Sequence, residues 1–264
     1  MLRVVTWNVW WRFGDWEARQ PAILHTLAAL DADVICLQEV WAERGGPDQA
    51  QVLATQLGYS AVSTTPRFYD GVSFDNAVLS RLPIRASESR PLPGPDGKPG
   101  HRQVLMADLA GPDGAIPVFT IHLDYRYDAS ALRSAQAAAV ARFVAERRGN
   151  PDVGFPPVLA GDLNAVPGSD EVRSLTGTAP VPVPGLVFQD AWEQCGDGTG
   201  HTWSAANPYL ADAAWPGRRL DYVLVAWPRP RPLGNVMACR LAGTRPVDGV
   251  QPSDHYAVVA DLRT

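Results

Sequence analysis

The sequence predicts an α/β fold in which two mostly antiparallel sheets pack face to face with helices outside. Three observations lead there. Strand-like apolar runs outnumber helical ones, and each half of the chain passes from strands through a long helix to further strands. No segment repeats at a fixed short period, which argues against a repeat array. The 264 residues, 46% of them hydrophobic, can bury one large core, and stacked layers are how a domain of that size does so. A single domain spanning residues 1–264 is expected.

Each element has its own signal. Leu2–Val9 is an apolar run of strand length. Trp16–Leu30 carries Ile23, Leu24, Leu27 and Leu30 at helical spacing, and Asp33–Leu37 is a short buried strand. Gln49–Leu57 reads as helix and Tyr59–Ser63 as extended chain. Phe74–Ser80 and Ile84–Ser89 form a pair joined at the Arg81-Leu82-Pro83 corner. Val104–Leu109 and Ala115–Ile121 flank Gly111-Pro112-Asp113-Gly114, a hairpin turn signal. Ser130–Arg147 is Ala-rich, with an apolar stripe through Leu132, Ala135, Ala139, Val140, Phe143 and Val144. Val158–Ala160 is a strand and Asp170–Leu175 a short helix. Leu220–Val225, Val236–Leu241 and Tyr256–Leu262 complete the strands. Prolines and glycines cluster in Pro91–Gly100, Pro180–Gly185 and Pro228–Pro232, which are expected to be surface loops.

Composition narrows the function. A net charge of -5 argues against coating nucleic acid through a broad basic surface. It leaves room for a nuclease, because a bound metal can supply positive charge where a phosphate sits. The chain has one lysine, Lys98, so cationic phosphate contacts must come from arginines. The three cysteines form no C-x-x-C pair and read as reduced thiols. Met1–Trp7 runs straight into a strand without signal-peptide architecture, and no apolar run approaches membrane-spanning length. A cytoplasmic location follows as the expectation, with no membrane association and no obligate protein partner.

Five of the apolar runs end in an oxygen ligand or an imidazole. Asn8 follows Leu2–Trp7, Glu39 follows Val34–Leu37, and His122 follows Val118–Ile121. Asp162-Leu163-Asn164 follows Pro156–Ala160, and Asp254-His255 precedes Tyr256–Leu262. Alone, Asn8 reads as a turn former and His122 as a structural histidine. Together the five read as one hydrolytic site at the rim of the two sheets. An all-oxygen set of carboxylates and carboxamides suits a hard cation, Mg²⁺ or Mn²⁺. Glu39 is the first choice of ligand, because a Glu closing a buried strand costs stability unless paired or metal-bound; Asp254 or Asn8 stands beside it. His255 is a candidate acid–base group, with Asp221 available to fix its tautomer. His122 can donate to a non-bridging phosphate oxygen. No G-x-S-x-G and no phosphate-binding Gly-rich loop ending in Lys occurs.

The motifs also match a known family. Thr6-Trp7-Asn8, Leu37-Gln38-Glu39-Val40 and the stretch from Asp75-Asn76 to Arg81-Leu82-Pro83-Ile84 come first. Ile121-His122-Leu123, Gly161-Asp162-Leu163-Asn164, Arg219-Leu220-Asp221-Tyr222-Val223 and Ser253-Asp254-His255 follow in the same order. With these the chain resembles the endonuclease/exonuclease/phosphatase superfamily, the DNase I-like metal-dependent phosphoesterases. The resemblance implies a four-layer α/β/β/α sandwich. It implies Asn8, Glu39 and Asp254 near the metal, and Asp162 and Asn164 positioning or deprotonating the attacking water. His255, supported by Asp221, and His122 would then face the phosphate from opposite sides, with Asn76 and Arg81 on the substrate. The expected substrate is nucleic acid or a small phosphodiester. A phosphomonoester, or a lipid or inositol phosphate, is the alternative, and a non-catalytic binding module is third. One departure is Trp10, which stands where several family members carry an acid. Aromatic residues crowd the expected rim: Trp10, Trp11, Phe13, Trp16, Phe68, Tyr69, Trp203, Tyr209 and Trp215. They can stack on bases or on one another.

Overall fold

The structure is a computed structural model describing residues 1–264. Fourteen strands and five α-helices follow the expected order. The first half holds β1 (Leu2–Asn8), α1 (Trp16–Leu30), β2 (Val34–Val40), α2 (Gln49–Leu57) and β3 (Ser60–Ser63). A two-stranded ribbon follows, β4 (Phe68–Tyr69) with β5 (Val72–Ser73), then β6 (Asp75–Ser80), β7 (Ile84–Pro93), β8 (Pro99–Gly111) and β9 (Gly114–His122). The second half holds α3 (Ser130–Arg147), β10 (Val158–Asp162), α4 (Asp170–Thr176), β11 (Val187–Asp190), α5 (Ala191–Cys195), β12 (Asp221–Trp227), β13 (Val236–Ala242) and β14 (Ala257–Leu262).

Two six-stranded sheets result, ordered β13-β14-β1-β2-β6-β3 and β11-β12-β10-β9-β8-β7. All pairings in them are antiparallel except β1 with β2 and β9 with β10, where a helix makes the crossover. Alternation along each strand divides the apolar residues between three cores. Val4, Cys36, Val118, Ala160 and Val223 meet between the sheets. Val5, Trp7, Ile35 and Leu37 face the other way, onto Ile23, Leu27 and Leu53 of α1 and α2. Phe119, Ile121 and Leu159 face Val140, Phe143 and Val144 of α3 and Val172 of α4. The layers are therefore α/β/β/α, as expected. Cys36 and Cys239 are buried and all three cysteines are free. No helix is long and apolar enough to cross a membrane.

One expectation fails. Half of Pro91–Gly100 is strand, not loop: β7 runs to Pro93 and β8 begins at Pro99, closed by a turn in which Gly94 N–H donates to Lys98 O (2.7 Å). Pro91 and Pro93 are tolerated because β7 is an edge strand, with no outer neighbour to receive an N–H. The lengthened hairpin makes one wall of the cleft described below.

Candidate active site

The strand period that builds the core also builds the site. On the faces between the sheets, Val4-Thr6-Asn8, Cys36-Gln38, Val118-Thr120-His122, Val158-Ala160-Asp162 and Val225-Val223-Asp221 all change from apolar to polar toward one end. Below the site the small polar side chains satisfy one another: Gln38 Nε2 donates to Thr6 Oγ1 (3.1 Å) and Thr120 Oγ1 (3.0 Å). Register then fixes the neighbours. Asp162 lies directly between His122 on β9 and Asp221 on β12. Gln38 lies between Asn8 and Asn76. Gly161 makes the close approach possible, since a Cβ there would sit 2.0 Å from the Ile121 carbonyl oxygen.

Glu39 arrives by a different device. A β-bulge between Gln38 and Val40 leaves Glu39 as the extra residue, with φ 59°. A non-glycine residue in this region costs of order 1 kcal/mol, and here the distortion turns the carboxylate into the site. Asn8 Nδ2 bridges Glu39 Oε1 (3.0 Å) and Asp162 Oδ2 (3.1 Å), while its Oδ1 accepts from Trp10 N–H (2.9 Å). To ligate a cation through oxygen, Asn8 would have to turn its amide over.

Asp221 Oδ2 accepts from His255 Nδ1 at 2.8 Å, leaving His255 Nε2 turned toward Asp162 Oδ2, 4.0 Å away. Burial opposes a charge on His255, but Asp221, Asp254 and Asp162 outweigh it and hold the imidazole protonated well above its ordinary range. His122 is the opposite case. Burial, reinforced by Arg102, pushes it well below that range, so it is neutral. Arg102 Nη1 lies 2.7 Å from His122 Nδ1, and a guanidinium can only donate. The proton of His122 is therefore on Nε2, which points between Asp162 Oδ2 (3.5 Å) and Glu39 Oε1 (3.8 Å).

Burial lifts the carboxyls. Asp162 is pushed up to about 6, with Asp221 adding to the effect. Asp254 reaches about 7, against the pull of His255 and with the help of Glu39. Glu39 is also raised, against the hydrogen bond from Asn8. Glu39 Oε2 and His122 Nε2 are buried without any hydrogen-bond partner. A divalent cation beside Glu39 and Asp254 would satisfy the first orphan and compensate the crowded charge, so these residues fit a hard metal ion. Asp162, Asp221 and His255 also offer donor atoms within 4.8 Å of one another. The short Asp221–His255 contact is a hydrogen bond that holds a proton, which makes Glu39 and Asp254 the better ligand pair.

Asn164 lies beside Asp162, whose Oδ1 accepts its N–H at 2.8 Å. Asn76 lines the same cleft, held by a bond from its Nδ2 to Gln103 O (3.0 Å). Arg81 does not join them. It follows the last residue of β6, five residues beyond Asn76 and so roughly 16 Å along the strand, and it pairs with Asp31. The expectation that Arg81 binds substrate is corrected: it braces the opposite end of the sheet.

Three contributors were not anticipated. Arg102 fell between the expected loop, Pro91–Gly100, and the expected strand from Val104, although counting back from the Gly111–Gly114 turn puts residues 102 and 103 beside 123 and 122. Ser253 donates to Asn8 O (2.6 Å) and accepts from His255 N–H (3.2 Å), tying β1 to the Asp254-His255 loop. Arg19 lies under both loops with a wholly buried guanidinium. It donates to the carbonyls of Val9, Trp10, Trp11, Phe13 and Pro252. All of this opens into one cleft of about 1010 Å³, lined by Glu39, Asn76, His122, Asp162, Asn164, Asp254 and His255 among others.

Comparison with known proteins agrees with this architecture. Human protein angel homolog 2 is 31% identical over 163 residues, 58% of this chain but 30% of that protein, so the match spans under a third of the relative's length. The bovine protein gives 30% identity over 164 residues, again 58% of this chain and 30% of the relative. Crystallised D. rerio TDP2 with a single-strand DNA product aligns at a TM-score of 0.77 and 22% identity, covering 100% of this chain and 99% of that one. An endonuclease/exonuclease/phosphatase from Beutenbergia cavernae aligns at 0.73 and 26% identity, over 99% and 71% of the two chains. The model of the Endonuclease/Exonuclease/phosphatase family matches residues 5–255, and the chain belongs to that family.

Proposed function

We propose that this protein is a Mg²⁺- or Mn²⁺-dependent phosphodiesterase of the nuclease type, acting through a single domain formed by residues 1–264. The carrying observation is the register that sets Asp162 between His122 and Asp221, beside a Glu39 carboxylate with a buried, unpartnered oxygen. Glu39 and Asp254 would hold the cation, with Asn8 beside them. The cation, when bound, supplies positive charge against the phosphate oxygens.

The chain's own groups divide the remaining work. Asp162, lifted by burial into the range where a carboxylate takes up a proton, accepts one from water that Asn164 helps to place. His255, kept cationic by Asp221, binds the phosphate. Neutral His122 donates its Nε2 proton to a second phosphate oxygen. Fixed donors and charges of this kind favour the transition state, where oxygen charge is greatest. The single-strand DNA product in the TDP2 complex supports nucleic acid as the substrate class.

The test is a Mg²⁺/Mn²⁺ panel of plasmid DNA, single strands, RNA, bis-p-nitrophenyl phosphate and p-nitrophenyl phosphate. Hydrolysis of the diester dye over the monoester is expected. Preference for the monoester would replace this reading with a phosphomonoesterase, and no turnover with intact metal binding would leave a binding module.

A further inference from the structure

The structure sorts the rim aromatics into two kinds. Trp10, Trp11 and Trp16 pack on other rings of the fold: Trp10 on Tyr209 at 4.6 Å, Trp11 on Phe13 at 5.3 Å and Trp16 on Trp41 at 5.3 Å. For these the packing explanation suffices. The exposed aromatic rings are Phe13, Tyr69, Tyr125, Tyr127 and Trp215. Four of them line the catalytic cleft, and Trp215 stacks on one of the four. No other Phe, Tyr or Trp side chain of the protein is as exposed as these.

One group on this rim is arranged for contact. Tyr127 and Trp215 are stacked almost parallel, with centroids 4.6 Å apart and planes 12° apart, yet they stay 49% and 50% exposed. Neither ring makes a side-chain hydrogen bond to the protein. The Arg218 guanidinium also lies over Tyr127, 5.0 Å from its centroid, and makes no ion pair. Arg218 is itself anchored through its backbone, exchanging two hydrogen bonds with Trp203 at 2.7 and 3.0 Å. Tyr127 and Arg218 line the same cleft as His122, Asp162 and His255, which puts the platform on the wall of the site. A preformed, half-exposed stack with a free guanidinium is complementary to a flat ring attached to an anion.

We propose that Trp215, Tyr127 and Arg218 form a stacking subsite for a nucleobase of the diester substrate, with Arg218 reaching the adjoining backbone phosphate. The assignment rests on the phosphodiesterase reading and adds the feature of the substrate that this rim recognises. The base must be unpaired, since a base held in a duplex has its faces already covered.

The test is equilibrium binding by fluorescence anisotropy, in Mg²⁺ and in an Asp162→Ala background that prevents turnover. The probes are a short single-stranded oligothymidylate and the same oligomer with abasic sites replacing its bases. Trp215→Ala should weaken the thymidylate about 5- to 150-fold, the range for loss of one stacked base, and leave the abasic probe within about twofold. Trp215→Phe should restore most of the loss, and Arg218→Gln should weaken both probes. Equal loss on both probes, no loss on either, or no binding of either probe by the unsubstituted platform would overturn the subsite. Hydrolysis of bis-p-nitrophenyl phosphate by the unaltered protein separates the two ideas. Base-dependent binding without hydrolysis sinks the reaction and keeps the subsite; hydrolysis with base-independent binding does the reverse.

Discussion

Replacing Arg19 with Met is the sharpest probe of how the site is supported. The methionine fills much of the same volume but donates no hydrogen bond. Five carbonyl oxygens lose a donor, and the contacts to Val9 and Pro252 are fully buried. A buried carbonyl left unpaired costs roughly 1–3 kcal/mol, so these two alone cost about 2–6 kcal/mol. The other three belong to a partly buried loop that water can reach, and they add less. Against this, the buried guanidinium has no carboxylate in direct contact, and removing it relieves the desolvation that depresses its pKa. The net expectation is a loss of about 3–5 kcal/mol, or roughly 6–20 °C in melting temperature for a chain of this size. The same substitution releases Trp10 and Trp11, which Arg19 holds at φ 60° and 33°. Asn8 and Asp254 adjoin the two loops concerned, so metal affinity should fall as well. Urea unfolding followed by circular dichroism gives the first quantity, and metal-induced thermal stabilisation gives the second. Arg19→Lys should fall between the two proteins, with one charge but fewer donors in a less favourable geometry. A methionine variant within 1 kcal/mol of the unaltered protein, with unchanged metal response, would refute the argument.

Three further outcomes are expected. Gly161→Ala drives a Cβ against the Ile121 backbone, so urea unfolding should report a loss of at least 2 kcal/mol; a stable variant would mean that the β9–β10 spacing is softer than described. Burial raises buried Asp75 to about 6 despite bonds from Ser73 and Thr64, so its folded-state pKa exceeds the unfolded one of about 3.9. The stability tied to its protonated form is complete below that unfolded value and is lost as pH rises to about 6, a difference of about 3 kcal/mol. Asp75→Asn should flatten the pH–stability curve over pH 4–6, and an unchanged slope would contradict the assignment. Glu39→Gln removes a carboxyl that burial disfavours, so in EDTA the variant should melt no lower than the unaltered protein, while its stabilisation by Mg²⁺ or Mn²⁺ should shrink. Full retention of the metal response would exclude Glu39 as a ligand.

Most of the layered fold was legible because its cause is local. Alternating residues such as Val4-Thr6-Asn8 and Val158-Ala160-Asp162 carry both the strand period and the facing of their polar ends. What was not legible depends on pairing. The bulge at Glu39 exists only against β6, and nothing in Leu37-Gln38-Glu39-Val40 announces a positive φ. The prolines of β7 read as loop because their tolerance depends on an edge position known only once the sheet order is known. Arg102 was missed because β8 starts at Pro99, five residues before the strand expected from Val104. Arg81 was placed at the site because it shares a motif with Asn76, although β6 runs antiparallel to β2 and carries its last residues away from Glu39. Arg19 looks like an ordinary helix residue until the two loops fold over it.

Diester hydrolysis by this site depends on Asp162, between its two neighbours and beside a cation. Its most direct measurement is the Mg²⁺-dependent rate of bis-p-nitrophenyl phosphate cleavage by Asp162→Ala, alongside its melting curve. A folded protein with at least a hundredfold lower rate is expected, within the usual contribution of a positioned acid–base group. A folded variant that cleaves the diester as fast as the unaltered protein would contradict it.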